Sequence, residues 1–154
     1  MSSPTPREVF LRLVHGVADG ALGTLPELYA EETDVRHPMW PGGTPVLTSR
    51  DDLRRHFGTG GDTVDGVVRF RPENVVVHET QDPEVIVAEF EYRGTVLATG
   101  EAYAVPCVFV MRVRDGQIVE SRDYIDHLSS ARVRGQLDDF LAAVLPTDAP
   151  GPAA

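Results

Sequence analysis

The pair Asp115-Gly116 stands between two long runs that alternate apolar and polar residues, 103–114 and 117–127. Asp-Gly readily adopts the positive φ angles of a tight turn, so the two runs are expected to fold back on each other as an antiparallel hairpin. A hairpin this long needs a covering layer for its apolar face. The chain supplies one on both sides. From 7 to about 18, Val9, Phe10, Leu13, Val14 and Val17 recur at helical spacing. A short second helix is expected over about 22–30, after the Asp19-Gly20 break, and a short strand over 33–37 that Pro38 stops. Thr48 or Ser49 caps a third helix, with Asp51 and Asp52 well placed in its first turn, and that helix runs to about Phe57. Strands are expected over 67–71, 74–79 and 84–92. A last helix, from near Ser129 to near Leu145, carries an apolar stripe of Val133, Leu137, Phe140, Leu141 and Val144. Helices first, then a meander, then a closing helix: this order means α+β, because a parallel sheet needs helices between its strands.

The organisation expected is one domain over 7–145 between mobile Pro-rich ends at 1–6 and 146–154. Fourteen basic residues, every one an arginine, stand against twenty-four acidic ones for a net charge of −10. Such a surface repels phosphate backbones, so no nucleic-acid partner is expected. Without lysine, Schiff-base chemistry and a phosphate-loop Lys are excluded. Cys107 is the only cysteine, which excludes an internal disulfide; within Val105-Pro-Cys-Val-Phe-Val110 it reads as a small core hydrophobe. Nowhere do eighteen apolar residues run together, and the N-terminus has no apolar stretch. A cytoplasmic protein with no membrane contact is expected.

Several strings, in order, resemble ketosteroid isomerase. Gly20-Ala-Leu-Gly-Thr-Leu-Pro-Glu-Leu-Tyr-Ala-Glu-Glu-Thr-Asp-Val-Arg-His-Pro38 is similar to that family's helix–strand segment, and Phe90-Glu-Tyr-Arg-Gly94 to one of its strand ends. The hairpin string Phe109-Val-Met-Arg-Val-Arg-Asp-Gly-Gln-Ile-Val-Glu-Ser-Arg-Asp-Tyr-Ile-Asp126 looks still more like SnoaL-type polyketide cyclases and limonene epoxide hydrolase. The resemblance covers roughly residues 7–143. It implies a cone-shaped α+β barrel: a curved antiparallel sheet around a dead-end apolar pocket closed by helices, in a fold that commonly dimerises through the outer face of the sheet.

His37 and Asp123 are the catalytic candidates. The isomerases carry a carboxylate base before the proline at the place of His37-Pro38, and an imidazole there can take and return a proton near neutral pH. The alternative is a strand-end histidine bonded to backbone. Asp123 matches a catalytic Asp in the epoxide hydrolase string Arg-Asp-Tyr, which favours an inward carboxylate with His37 as its donor. From the residues alone its side depends on register. A two-residue loop at Asp115-Gly116 puts Asp123 beside Val108, and a three-residue loop puts it beside Cys107, on the face of Phe109 and Met111. An outward Asp123 would pair with Arg112 or Arg114.

The resemblance also has departures. The isomerase oxyanion Tyr falls at Leu13 and its protonated Asp at Phe109, neither of which donates a hydrogen bond. The Arg–Asp pair of limonene epoxide hydrolase is missing from Val-Ala-Glu-Phe-Glu-Tyr92, where Ala88, Phe90 and Tyr92 share one face and Glu89 and Glu91 the other. Candidates to touch a ligand are Leu13, Trp40, Phe57, Phe90, Tyr92, Tyr103, Phe109, Met111 and Ile125. Asp123, Asp126 and His127 imitate a ligand set, but a strand sends them to different faces, so no metal and no cofactor is expected. His15, His56 and His78 read as solvated. Gly58-Thr-Gly-Gly61 follows a helix and not a strand, so it reads as a turn and not a phosphate loop.

Two functions follow from the resemblance and the candidates together. One is a cofactor-free acid–base enzyme for a hydrophobic cyclic molecule, working as isomerase, cyclase, dehydratase or epoxide hydrolase. The other is a non-catalytic module of the same fold that binds a small molecule or dimerises. An open cavity holding His37 and Asp123 favours the first; a cavity plugged by Trp40, Phe57 and Met111 favours the second.

Overall fold

The structure is a computed structural model that describes residues 2–43, 46–58 and 66–146. The turn expected at 58–61 and the tail expected at 146–154 fall almost wholly outside that set. The first helix, α1 (Pro6–Ala18), opens on a reciprocal capping box in which Thr5 Oγ1 accepts from the Glu8 N–H and the Glu8 carboxylate accepts from the Thr5 N–H. The helix and its cap thus start at Thr5 and Pro6, at the end of the segment 1–6. Instead of a second α-helix there is a single 3-10 turn, Leu25–Leu28, and strand β1 (Tyr29–Arg36) follows at once. Pro26 explains the difference, since it lacks an N–H and would break a helix spanning 22–30 in its interior. A three-residue strand, β2 (Leu47–Ser49), precedes α2 (Arg50–Gly58). Ser49 Oγ accepts from the Asp52 N–H while the Asp52 carboxylate accepts from the Thr48 and Ser49 N–H groups.

Four long strands complete the sheet: β3 (Val68–Glu79), β4 (Val85–Val96), β5 (Ala102–Arg114) and β6 (Gln117–Ile125). The two short strands expected over 67–79 are one strand that bulges. Asn74 adopts φ 54°, and the pairing with β4 shifts between Glu73 and Val76. Pro72 is tolerated because β3 is an edge. The last helix is two helices, α3 (His127–Val133) and α4 (Leu137–Val144), parted at Gly135 with φ 68°.

The strands lie in the order β2-β1-β6-β5-β4-β3 in one curved sheet that does not close. Every neighbouring pair is antiparallel except β1 and β6, which run parallel. The chain is thus α+β, as the order of its elements implies, with one parallel pairing that a meander does not contain. Helix α1 lies across β3, β4 and β5 and sends Val9, Phe10, Leu13 and Val14 into the core. There Phe10 meets Phe90 and Phe109 edge-on, at ring separations of 5.3 and 6.2 Å. Such contacts add about 0.5–1.5 kcal/mol per pair to the burial of the rings themselves. Helix α2 covers β1, and α3 with α4 closes the side next to β5. No helix among the described residues is long and apolar enough to cross a membrane.

Candidate functional site

The hairpin settles the side of Asp123 by a route that neither loop length alone provides. Asp115 and Gly116 form a two-residue turn, φ 51° and 77°, and Arg114 faces Gln117. A regular ladder from that turn would seat Asp123 beside Val108. The register slips by one between Arg112 and Val113, however, and Asp123 lies opposite Phe109. A bulge in β6 thus turns the carboxylate onto the core face, beside neither Val108 nor Cys107. Asp123 is 5% exposed. Arg112 and Arg114, the partners an outward Asp123 would have taken, bond instead to Asp82, Glu84 and Glu120.

The parallel pairing of β1 with β6 sets Arg36 against Arg122, so the next residue, His37, emerges beside Asp123. His37 Nε2 lies 3.8 Å from Asp123 Oδ2. That is ion-pair reach and longer than a direct hydrogen bond. Burial pushes the Asp123 carboxyl up to about 7, against which the Ser121 hydroxyl, donating to Oδ1 at 2.5 Å, acts in the opposite direction. Tyr29 stands close enough that this carboxylate adds to burial in raising its phenol well above the ordinary value.

Around His37 the structure gathers rings from four elements. The Trp40 backbone N–H donates to the His37 carbonyl at 3.0 Å, so the Pro38-Met39 corner folds the chain back and brings the indole to the site. His56, in the last turn of α2, stacks on His37 at 5.6 Å with 30° between the planes. His127 begins α3 behind the cap made by Asp126, whose carboxylate accepts from the Ser129 N–H, and meets His37 at 6.1 Å. Trp40 stands edge-on to His127 and Phe140 at 5.1 and 5.3 Å.

His37, Asp123, Trp40, His56 and His127 line a cavity of about 530 Å³ between the sheet and the helices. Of the candidates named from sequence, His37, Asp123, Leu13, Trp40, Phe57, Tyr92, Tyr103, Phe109 and Ile125 are on its wall. Phe90 and Met111 are not. Phe90 is taken up by the ring cluster beneath α1, and Met111 is fully buried in the core. His56 and His127 are the wall residues that sequence reading misplaces. His56 reads as solvated because α2 is charged nearly throughout, yet its last turn faces β1. His127 reads as a strand continuation because nothing in Ile125-Asp-His-Leu-Ser marks a strand end except the Asp126…Ser129 spacing of a helix cap. His78 does face outward, bonded to Glu89 at 2.6 Å. Cys107 is buried and its thiol is pushed up to about 12, so it holds no thiolate. Among the described residues no His, Cys, Asp and Glu side chains cluster as metal ligands.

The model of the SnoaL-like domain matches residues 10–121. An uncharacterized PhzA/B-like protein of Pseudomonas aeruginosa is 30% identical over 86 residues, which is 51% of this chain and 61% of that protein. The chain thus spans about three fifths of the length of that curated relative. Among solved structures, an isomerase candidate from Bacillus subtilis superposes with a TM-score of 0.70 at 22% identity, covering 85% of this chain and 93% of the other. A polyketide cyclase candidate from Pseudomonas putida gives 0.62 at 16% identity, with 86% and 99% covered. A phenazine biosynthesis-related protein from Pseudomonas aeruginosa gives 0.60 at 18% identity, with 84% of each covered. At these identities the three structures share a fold with this chain and nothing finer.

Proposed function

The chain belongs to the family of SnoaL-like domains, and from that premise we propose that it is an acid–base enzyme, needing no cofactor, for a hydrophobic cyclic small molecule. The observation that carries this reading is the pair of half-buried His37 and buried Asp123, 3.8 Å apart on the wall of a cavity of about 530 Å³. A cavity of that size is in the range of small-molecule sites, roughly 300–1,000 Å³. In the proposed scheme His37 takes a proton beside a carbonyl, or from a water, and returns it elsewhere on the substrate. Asp123 orients the imidazole and stabilises the imidazolium that forms. Isomerisation, cyclisation, dehydration and epoxide opening all use that pair in the same way. The names of the structural neighbours, isomerase and polyketide cyclase candidates among them, support a role of this kind in secondary metabolism.

The module reading predicts ligand binding without conversion, or a cavity plugged by Trp40, Phe57 and Met111. Trp40 and Phe57 instead stand on the wall of an open one, and Met111 is away from it. That supports the enzyme over the plugged form of the module.

The test is a library of cyclic ketones, lactones and epoxides, ranked by thermal shift and then assayed for turnover. His37→Ala and Asp123→Asn are each expected to lower kcat by roughly 10²–10⁴-fold on the compound turned over. Unchanged turnover in both variants refutes the assignment. Binding without conversion by any compound favours the module.

A further inference from the structure

Ser121 is fully buried, and its partners in the sheet are apolar. It pairs with Met111 of β5 on one side and Val35 of β1 on the other, both of them buried. A hydroxyl in such surroundings costs stability unless it is hydrogen-bonded, and an alanine would occupy the position without that cost. Among the described residues the Ser121 hydroxyl makes one hydrogen bond, to Asp123 Oδ1 at 2.5 Å, two residues on along the same face of β6. The bulge that turns Asp123 inward brings Ser121 with it. The buried residues of β6 are Ile118, Ser121 and Asp123, whereas regular alternation from Ile118 would have put Glu120 and Arg122 inside.

The two oxygens of Asp123 are thus divided: Oδ1 accepts from Ser121, and Oδ2 is the oxygen near His37 Nε2. We infer that Ser121 is a positioning residue, which holds Oδ1 so that the carboxylate cannot turn and Oδ2 stays facing the imidazole. The inference rests on the proposed roles of His37 and Asp123, and adds the group that sets the second of them. A hydrogen bond donated to a carboxylate also favours its ionised form. Burial pushes Asp123 up to about 7, the middle of its titration at neutral pH, so the hydroxyl controls how much of it carries the charge that an imidazolium needs. Of the elements packed on β6, β1 and its end present Tyr29 and His37 to Asp123, and β5 presents Cys107. The 3-10 turn carries only Glu27, which is at the surface and bonded to Arg54. Tyr29 and Cys107 are both pushed up and stay neutral near pH 7. His56, His127 and Arg134 stand on the same cavity wall.

The experiment follows the side-chain carboxyl carbon of Asp123 by NMR between pH 5 and 9 in the full chain, with Asp123→Asn identifying the resonance. Ser121→Ala should move the midpoint of that titration up by about one pH unit, and Ser121→Thr, which keeps the hydroxyl, should bring it back to within about 0.3. A residue that only fills space would leave the midpoint where it is. On a cyclic ketone, lactone or epoxide that the wild-type protein turns over, Ser121→Ala should lower kcat about tenfold at pH 7 and about twofold at pH 9, with KM little changed. The part of the loss that fades is lost ionisation, and the part that stays is lost orientation. A midpoint that does not move in Ser121→Ala, or that Ser121→Thr does not bring back, overturns the inference, and so does a moved midpoint with kcat unchanged at both pH values. Should Ser121→Ala fail to fold, the wild-type Ser121 hydroxyl proton decides: it should shift with the same midpoint as the Asp123 carboxyl, and one that does not titrate overturns the inference. If the wild-type protein turns over no compound, the enzyme reading falls and the catalytic part of the inference with it, while the midpoints still decide whether Ser121 holds Asp123.

Discussion

Asp123 is buried against the tendency of a carboxylate to stay in water, and the cost appears in its protonation. Its carboxyl is pushed up to about 7 by burial, far above the range of the unfolded chain. Between roughly pH 4 and 7 the native state therefore binds more protons than the unfolded one, so stability falls as pH rises through that window and levels off above it. Asparagine cannot ionise and keeps the shape. Asp123→Asn is expected to raise the melting temperature at pH 8, by on the order of 2–4 kcal/mol of stability, with the gain shrinking towards pH 5. Thermal unfolding of both proteins across pH 5–8 checks this; a variant less stable than wild type at pH 8 contradicts it. Such a gain would fit the role proposed for Asp123, a function held at the expense of stability.

At the scale of elements, the close approach of β3 to β4 depends on one glycine. Gly94 pairs with Phe70, and a Cβ at Gly94 would lie 2.0 Å from the Arg69 carbonyl oxygen and 2.7 Å from the Phe70 Cα. Because the obstacle is backbone and not a movable side chain, Gly94→Ala should destabilise by about 2–4 kcal/mol, seen as a lower urea midpoint. A loss under about 0.5 kcal/mol would show that the two strands part without difficulty. The same scale shows what the sequence conveys and where it stops. The hairpin about Asp115-Gly116, the α1 stripe and the Ala88-Phe90-Tyr92 face were legible because each is a local period. The 3-10 turn was legible too in principle, through Pro26. The inward side of Asp123 came from resemblance and not from the ladder, since the β6 bulge leaves no turn residue or periodicity change behind it. His56 and His127 joined the site through packing of α2 on β1 and α3 beside β5, and no local pattern reports such packing.

For the whole molecule, the face of the sheet opposite α1 is the next question. Val76 and Leu128 are 50% and 54% exposed there, and they share an apolar groove with Val108 and Tyr124 between the strands and the C-terminal helices. Apolar surface of this kind favours burial against a like surface, and a homodimer through this groove is proposed, formed against the mutual repulsion of two acidic chains. Sedimentation equilibrium at micromolar protein should give a mass near twice that of the chain, and Leu128→Arg should return it to one. A wild-type protein that sediments as a monomer at all concentrations rules the dimer out.

The parallel pairing of β1 with β6 carries a consequence for synthesis. His37 is made early, Asp123 late, and the strands that bring them together are neighbours in space though most of the chain lies between them. Contacts so distant along the chain form slowly, because a long loop must first be closed. A ribosome-bound chain that has not yet released β6 therefore lacks the proposed His37–Asp123 pair, whatever helices it has already formed. Competence arrives only when the newest strand slots in beside the oldest, which ties the onset of any chemistry to completion of the sheet.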